Sequence, residues 1–139
     1  MLNELGIQMK FYVASSLANY EQVRDLSLLL KKAGWEHTFD WTVYCPAQRT
    51  NAEILKTIGT KEYEGIKQAD VVVVLTPQGR GTHVELGMAI ALNKKIYLCH
   101  HNNTYFEYND STSTFYWLPQ VHQFVGNTND IASMLLKLM

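Results

Sequence analysis

The chain has 139 residues, enough for a single domain around one core, with 47% hydrophobic against 18% charged residues, a globular rather than disordered balance. The formal net charge of -1 leaves no basic excess, so neither a nucleic acid polymer nor a membrane surface is an expected partner. No apolar run approaches the roughly 20 residues that span a bilayer, and MLNELGIQMK has no basic segment ahead of a long apolar stretch, so no secretory leader is expected and a cytoplasmic location is.

In chain order, Met9 to Ala14 (MKFYVA) reads as a first strand, ended by Ser15 and Ser16. Asn19 is the expected cap of a helix in which Val23, Leu26, Leu30 and Ala33 recur at helical spacing. Gly34 suits the left-handed position after its end. Glu36 to Trp41 (EHTFDW) is a polar, edge-like strand candidate, and Val43 to Arg49 is irregular around Pro46. Thr50-x-x-Glu53 matches a capping box and opens a helix with Ile54, Leu55 and Ile58 on one face. Gly59 is expected to interrupt it, with a second piece over Thr60 to Gln68. Val71 to Leu75 (VVVVL) has no alternation, as in a parallel strand covered on both faces. Thr76 to Gly81 breaks that strand, and Thr82 is the expected N-cap of the following helix. Lys95 to His100 (KIYLCH) is the next buried strand. His101 to Thr114 lacks periodicity, a length often functional or part of an interface. Val121 to Val125 is the last strand, and Thr128 starts a helix with Ile131, Leu135 and Leu138 inward. Strand and helix alternate throughout. This predicts an α/β fold: a doubly wound, five-stranded parallel sheet, flavodoxin-like or Rossmann-like, in order 2-1-3-4-5 with helices on both faces.

Ligands of open parallel sheets bind beyond the carboxyl ends of the strands, and Arg80, His83 and Glu85 follow such an end. Thr82-x-x-Glu85 fits a capping box that only satisfies free N–H groups. It equally fits a carboxylate facing the cleft, kept ionised by a helix N-terminus and able to attack an electrophilic carbon. Gly79-Arg80-Gly81 is either a tight turn or, with free helix N–H groups beside an arginine, an anion pocket. It matches neither a dinucleotide fingerprint nor a Walker A loop. Tyr12 is either core or a hydroxyl reaching the cleft. Asp40 starts a turn beside Trp41, which can wall a pocket for a flat ligand. Glu62 and Glu64 read as a solvated helix face. The aromatic cluster Tyr105, Phe106, Tyr108, Phe115, Tyr116 and Trp117 reads as a core lid or subunit contact. Cys45 and Cys99 lie far apart in sequence, and Cys99 falls in a strand, so free thiols are expected. The histidines are scattered, with no H-E-x-x-H or paired-Cys motif, and no metal is expected.

KFYVASS, GIKQADVVVVL and GTHVELGMAIALNKKIYL together resemble the nucleoside 2-deoxyribosyltransferase family, which includes 2'-deoxynucleoside 5'-monophosphate N-glycosidases. The resemblance spans roughly Lys10 to Leu98. Its most specific piece is G-[TVL]-x-x-E-[LI]-G-x-A, here Gly81 to Ala89. It implies an enzyme acting on a small nucleoside or nucleotide without a cofactor, in a homodimer or larger assembly whose partner subunit completes the site. It implies that Glu85 is the nucleophile at C1', forming a glycosyl-enzyme released to water or another base, and that Tyr12 orients it. Glu62 stands near the family's acidic residue, usually aspartate, as acid or sugar contact. Gly79, Arg80, Gly81 and Thr82 are assigned to the sugar–phosphate side, Ser15 to the same cleft, and Asp40 with Trp41 to the base side. Arg80, in place of an acidic loop residue, favours a phosphorylated ligand. A base-exchanging transferase and a non-catalytic nucleotide sensor are the alternatives.

Overall fold

The computed structural model describes residues 8–45, 49, 51–76 and 79–138. Five strands, β1 (Lys10–Ala14), β2 (Glu36–His37), β3 (Val71–Leu75), β4 (Lys95–His100) and β5 (Val121–Val125), form one parallel sheet in the order β2-β1-β3-β4-β5. Helices α1 (Tyr20–Lys32), α2 (Ala52–Gln68), α3 (Arg80–Ala91) and α4 (Thr128–Leu136) surround it. α1 packs against α4, and α2 packs against α3. Every residue of β3 is at most 1% exposed, so the VVVVL run is buried on both faces, as its lack of alternation predicts. The expected topology is the observed one.

Local chemistry sets the element ends. Gly34 has φ 96°, its N–H bonds Lys31 O at 3.0 Å, and the Trp35 N–H bonds Leu30 O at 3.1 Å. This double closure ends α1 and turns the buried Trp35 into the core. Gly65 allows a close approach of α2 to the sheet edge. A Cβ there would meet Phe39 Cβ at 3.0 Å and Tyr12 Cδ1 at 3.1 Å.

The structure corrects several expectations. β2 stops at His37 instead of Trp41. The Asp40 carboxylate accepts the Thr42 N–H at 3.0 Å and starts a short 3-10 turn over Trp41–Tyr44. Such a side chain offers the backbone an alternative to the strand ladder. Gly59 does not interrupt α2, which runs unbroken from Ala52. One exposed mid-helix glycine costs about 1 kcal/mol against alanine, too little to break 17 residues. Asn51 caps that helix by accepting the Ile54 N–H at 2.9 Å; Thr50, the expected cap, lies outside the described residues. Asn19 flanks α1, but its amide bonds Ser15 Oγ and Gln22 Oε1 rather than capping the helix. Leu138 follows α4 and is exposed, whereas Ile131 and Leu135 are buried.

Both cysteines are free and buried, and burial pushes the Cys99 thiol well up. Among the described residues no helix is long and apolar enough to cross a membrane, and no group of three or more metal-ligating side chains gathers. The aromatic cluster after β4 divides: Tyr116 is buried, Tyr105 and Phe106 pack partly against the core, and Tyr108, Phe115 and Trp117 stay exposed.

Candidate active site

The carboxyl ends of β1 and β3 open onto a cavity of about 360 Å³, at the small end of the ~300–1,000 Å³ typical of ligand sites. One wall is the start of α3: Gly79, Arg80, Gly81 and Thr82, then Glu85 one turn further in. Ser15, Ser16 and Leu17, which follow β1, form the second wall with Trp41. The third is Arg49, from the segment before α2, with Glu62 on α2 itself.

α3 begins earlier than its sequence pattern suggests. Gly79 is the N-cap, not Thr82. Thr82 is the third helical residue, and its Oγ1 accepts the Gly79 N–H at 3.2 Å. Glu85 therefore lies beyond the first turn and plays no part in capping. The early start leaves the N–H groups of Arg80, Gly81 and Thr82 without intrahelical acceptors, so the helix presents a positive end to the cavity.

Glu85 is instead bound by the sheet. The Tyr12 hydroxyl donates to Glu85 Oε2, both side chains being buried. Gly81 lies against the carboxylate: a Cβ added there would meet Oε1 at 4.0 Å, an ordinary van der Waals contact. Burial pushes the Glu85 carboxyl up to about 8, and the neighbouring Glu62 charge adds to the push. The Tyr12 hydrogen bond and the Arg49 charge pull the other way. Glu62 is raised by burial and lowered by Arg49 and Tyr12. The Tyr12 phenol is raised well above its ordinary range by burial and both carboxylates, so it remains a hydrogen-bond donor. Two carboxylates beside one cation and one phenol thus influence each other's protonation.

Most of the residues singled out in the sequence come together here: Tyr12 behind Glu85, with Ser15, Trp41, Glu62 and the Gly79–Thr82 turn around the cavity. The Ser15 hydroxyl is tied to Leu75 O at 2.8 Å and also accepts from Asn19, so it braces the strand ends. Trp41 is a buried wall, its indole N–H donating to Val13 O at 2.7 Å. At 1% exposure its ring leaves almost no surface for a base to stack on. Asp40 is the exception: it does not line the cavity, because its carboxylate is committed to Thr42. Glu62 is not on a solvated face, because α2 turns it inward against Tyr12 and Arg49. Arg49 is the residue that sequence reasoning missed. A survey of cations at every loop following a strand's carboxyl end would have found it.

The sequence model described as Nucleoside 2-deoxyribosyltransferase matches residues 11–139. The chain belongs to the nucleoside 2-deoxyribosyltransferase family. This family member is therefore an enzyme of N-glycosidic bonds, acting by cleavage or base exchange on small nucleosides or nucleotides. No curated protein matches it. Among solved structures it is similar to the Clostridium botulinum CMP N-glycosidase, at 22% identity and TM-score 0.63, covering 91% of this chain and 97% of that one. It is also similar to the 2-deoxyribosyltransferase of Bacillus psychrosaccharolyticus, at 22% identity and TM-score 0.63, covering 88% and 90%. A conserved protein from Enterococcus faecalis V583 shares 13% identity at TM-score 0.62, covering 95% and 99%. At these identities the solved structures speak for the shared fold.

Proposed function

We propose that this deoxyribosyltransferase-family enzyme cleaves the N-glycosidic bond of a nucleoside 5'-monophosphate through a covalent glycosyl–Glu85 intermediate that water resolves. The observation that carries the reading is the Tyr12–Glu85 pair: a buried carboxylate held by a phenol at the edge of a cavity whose neighbouring wall is a helix N-terminus with an arginine. A phosphate suits that wall, where the first N–H groups of α3, the Thr82 region and Arg80 converge.

In the first step the ionised Glu85 carboxylate forms a bond to C1', the C1'–N bond breaks, and its electron pair leaves with the base. Glu62 supplies a proton to the base. In the second step a water oxygen attacks C1', Glu62 takes up the water's proton, and the Glu85 carboxylate departs. Two inversions give net retention, as in retaining glycosidases. The reactive state holds one proton across the two carboxylates, on Glu62, with Glu85 ionised. Without substrate the stronger upward push is at Glu85. A base acceptor seated against Glu62 draws the proton to Glu62 and frees the nucleophile.

A second copy of the chain is expected to cover the segment after β4, whose Tyr108, Phe115 and Trp117 are exposed, and to complete the site. Substrates of this kind, together with two free cysteines, suit a reducing, cytoplasmic setting.

The test is base release by chromatography on a panel of nucleosides and 5'-monophosphates, each with and without a free acceptor base. Release in water with monophosphates preferred is the expected result. Release only with an acceptor makes the enzyme a transferase. Binding without release anywhere on the panel makes it a nucleotide sensor.

A further inference from the structure

The third wall of the cavity carries a feature that the cleavage chemistry above does not use. Arg49 lines the cavity, yet its Nε and Nη2 are shielded from solvent and have no hydrogen-bond partner. These two nitrogens form one edge of the guanidinium, the fork that meets two acceptors at once. Its charge is felt by both Glu62 and Glu85, but among the described residues no ion pair within 4.0 Å engages it. Buried polar groups are nearly always paired, and an unpaired charged donor is costly. A fork left dry and unpaired at the edge of a cavity is reserved for acceptors that arrive with a ligand.

The position of the fork says which part of the ligand. Arg80 and the N-terminus of α3 form the anion end of the cavity, and Glu85 marks C1' beyond it. Arg49 stands with Glu62 on the wall that α2 and its leading segment provide, and its charge is the leading one acting on Glu62. The part of the ligand that meets Glu62, and takes its proton, is the base.

We propose that Arg49 is the base-reading residue of this site, its Nε and Nη2 donating to a ring nitrogen and an adjacent carbonyl oxygen on one edge of the base. This rests on the cleavage reading above and deepens it by naming the substrate class. Cytosine (N3 with O2) and 6-oxopurines (N7 with O6) present such an edge. Uracil and thymine place an N–H donor at N3, and adenine places an amino donor beside N7 or N1, so each leaves one arm of the fork facing another donor. The same contact assists departure. When the C1'–N bond breaks, the electron pair spreads from the glycosidic nitrogen onto these acceptors. A guanidinium already aimed at them stabilises the leaving base before Glu62 delivers its proton.

Two measurements test this, one without turnover. Equilibrium binding of CMP, GMP, UMP and AMP, in ribo and 2'-deoxy forms, is measured on the Glu85→Gln protein and on Glu85→Gln with Arg49→Lys, which keeps the charge and removes the fork. The first protein is expected to bind the cytosine and guanine nucleotides about tenfold or more tighter than the others, and the second to lose that preference. Equal binding of all four by the first protein, or an unchanged preference in the second, overturns the assignment.

The second measurement compares kcat for CMP and for 5-fluorocytidine 5'-monophosphate, which keeps the N3 and O2 acceptors and carries a base that leaves more readily. Arg49→Ala is expected to slow CMP several-fold more than the fluorinated substrate. An equal loss on both overturns the leaving-group role while wild-type cleavage stands. Wild-type silence on both and on the whole panel above overturns the cleavage reading, and the binding result then decides Arg49 alone.

Discussion

The hydroxyl of Tyr12, in the middle of strand β1, donates to Oε2 of Glu85 beyond the first turn of α3. Sheet and helix are thereby joined at the candidate nucleophile. Tyr12→Phe keeps the ring and removes this bond. Because the bond lowers the Glu85 carboxyl, its loss raises that carboxyl further and shrinks the ionised fraction at neutral pH. We expect kcat/KM to fall about 10- to 100-fold at pH 7, in the range of a positioned hydrogen bond, with a smaller deficit at pH 9. A loss of the same size at every pH would mean that Tyr12 acts through packing alone.

The pH dependence of the wild-type enzyme follows from the same carboxyl. The pair must hold one proton for the base, and in the free enzyme the last proton leaves Glu85 at about 8. kcat/KM therefore falls as pH rises through about 8. Glu62 contributes to that push, so Glu62→Gln should lower kcat and replace the fall with a rise at lower pH, where Glu85 alone ionises. The same fall persisting in Glu62→Gln would show that the two carboxyls do not share the proton.

Stability carries the opposite signature. Glu85 holds its proton in the folded chain up to about 8 and loses it near 4.5 when unfolded, the ordinary value for this group. Between those values the folded state binds more protons, so stability declines as pH rises through this window and levels off above it. Glu85→Gln removes the burdened carboxylate and still accepts from Tyr12. Thermal unfolding should show this variant more stable than wild type at pH 9, by on the order of a few kcal/mol, with little difference at pH 4. A difference independent of pH would contradict the burial of Glu85 as a charge.

Arg80 is exposed at the first position of α3 and lines the cavity. Arg80→Ala should weaken 5'-monophosphates about tenfold in KM and leave nucleosides within about twofold, the loss of one charge-assisted contact being worth roughly 1.5 kcal/mol. Equal loss for both ligand types would remove the phosphate from this wall.

Gly65 sits where α2 meets Tyr12 and Phe39. Gly65→Ala forces the ring of Tyr12 or the helix to shift by a few tenths of an ångström. An overpacked contact costs about 1–3 kcal/mol, partly offset by alanine's better helix propensity of about 1 kcal/mol. Activity is expected to fall more than stability, because the displaced ring carries the Glu85 contact. Denaturant melts run beside initial rates check this, and unchanged rates would place the strain elsewhere.

Much of this was legible in the residues. VVVVL and KIYLCH are strands on sight, because burial on both faces leaves an uninterrupted apolar run. The G-T-x-x-E-L-G-x-A segment identified Glu85, but not its geometry. Thr82 looks like a cap by spacing, whereas Gly79 takes that role through its backbone and hands Thr82 the return bond. Local pattern rightly read Asp40 as a turn residue, and that turn consumes the carboxylate assigned to the base side; it misjudged Gly59, which a long packed helix tolerates. Arg49 could be located by its loop, but the sequence does not show what it lacks: a partner for two shielded nitrogens. Only three-dimensional placement reveals that.

The most direct test of the account is covalent trapping at Glu85. A 2'-deoxy-2'-fluoro-arabinonucleoside 5'-monophosphate slows both steps by destabilising positive charge at C1', and a reactive base keeps the first step faster than the second. Peptide mass spectrometry after incubation should then show the fluorosugar phosphate on the peptide containing Glu85, and no adduct in Glu85→Gln. Base release from this analogue with an adduct on another residue, or with the same adduct in Glu85→Gln, would contradict the assignment of Glu85 as the nucleophile.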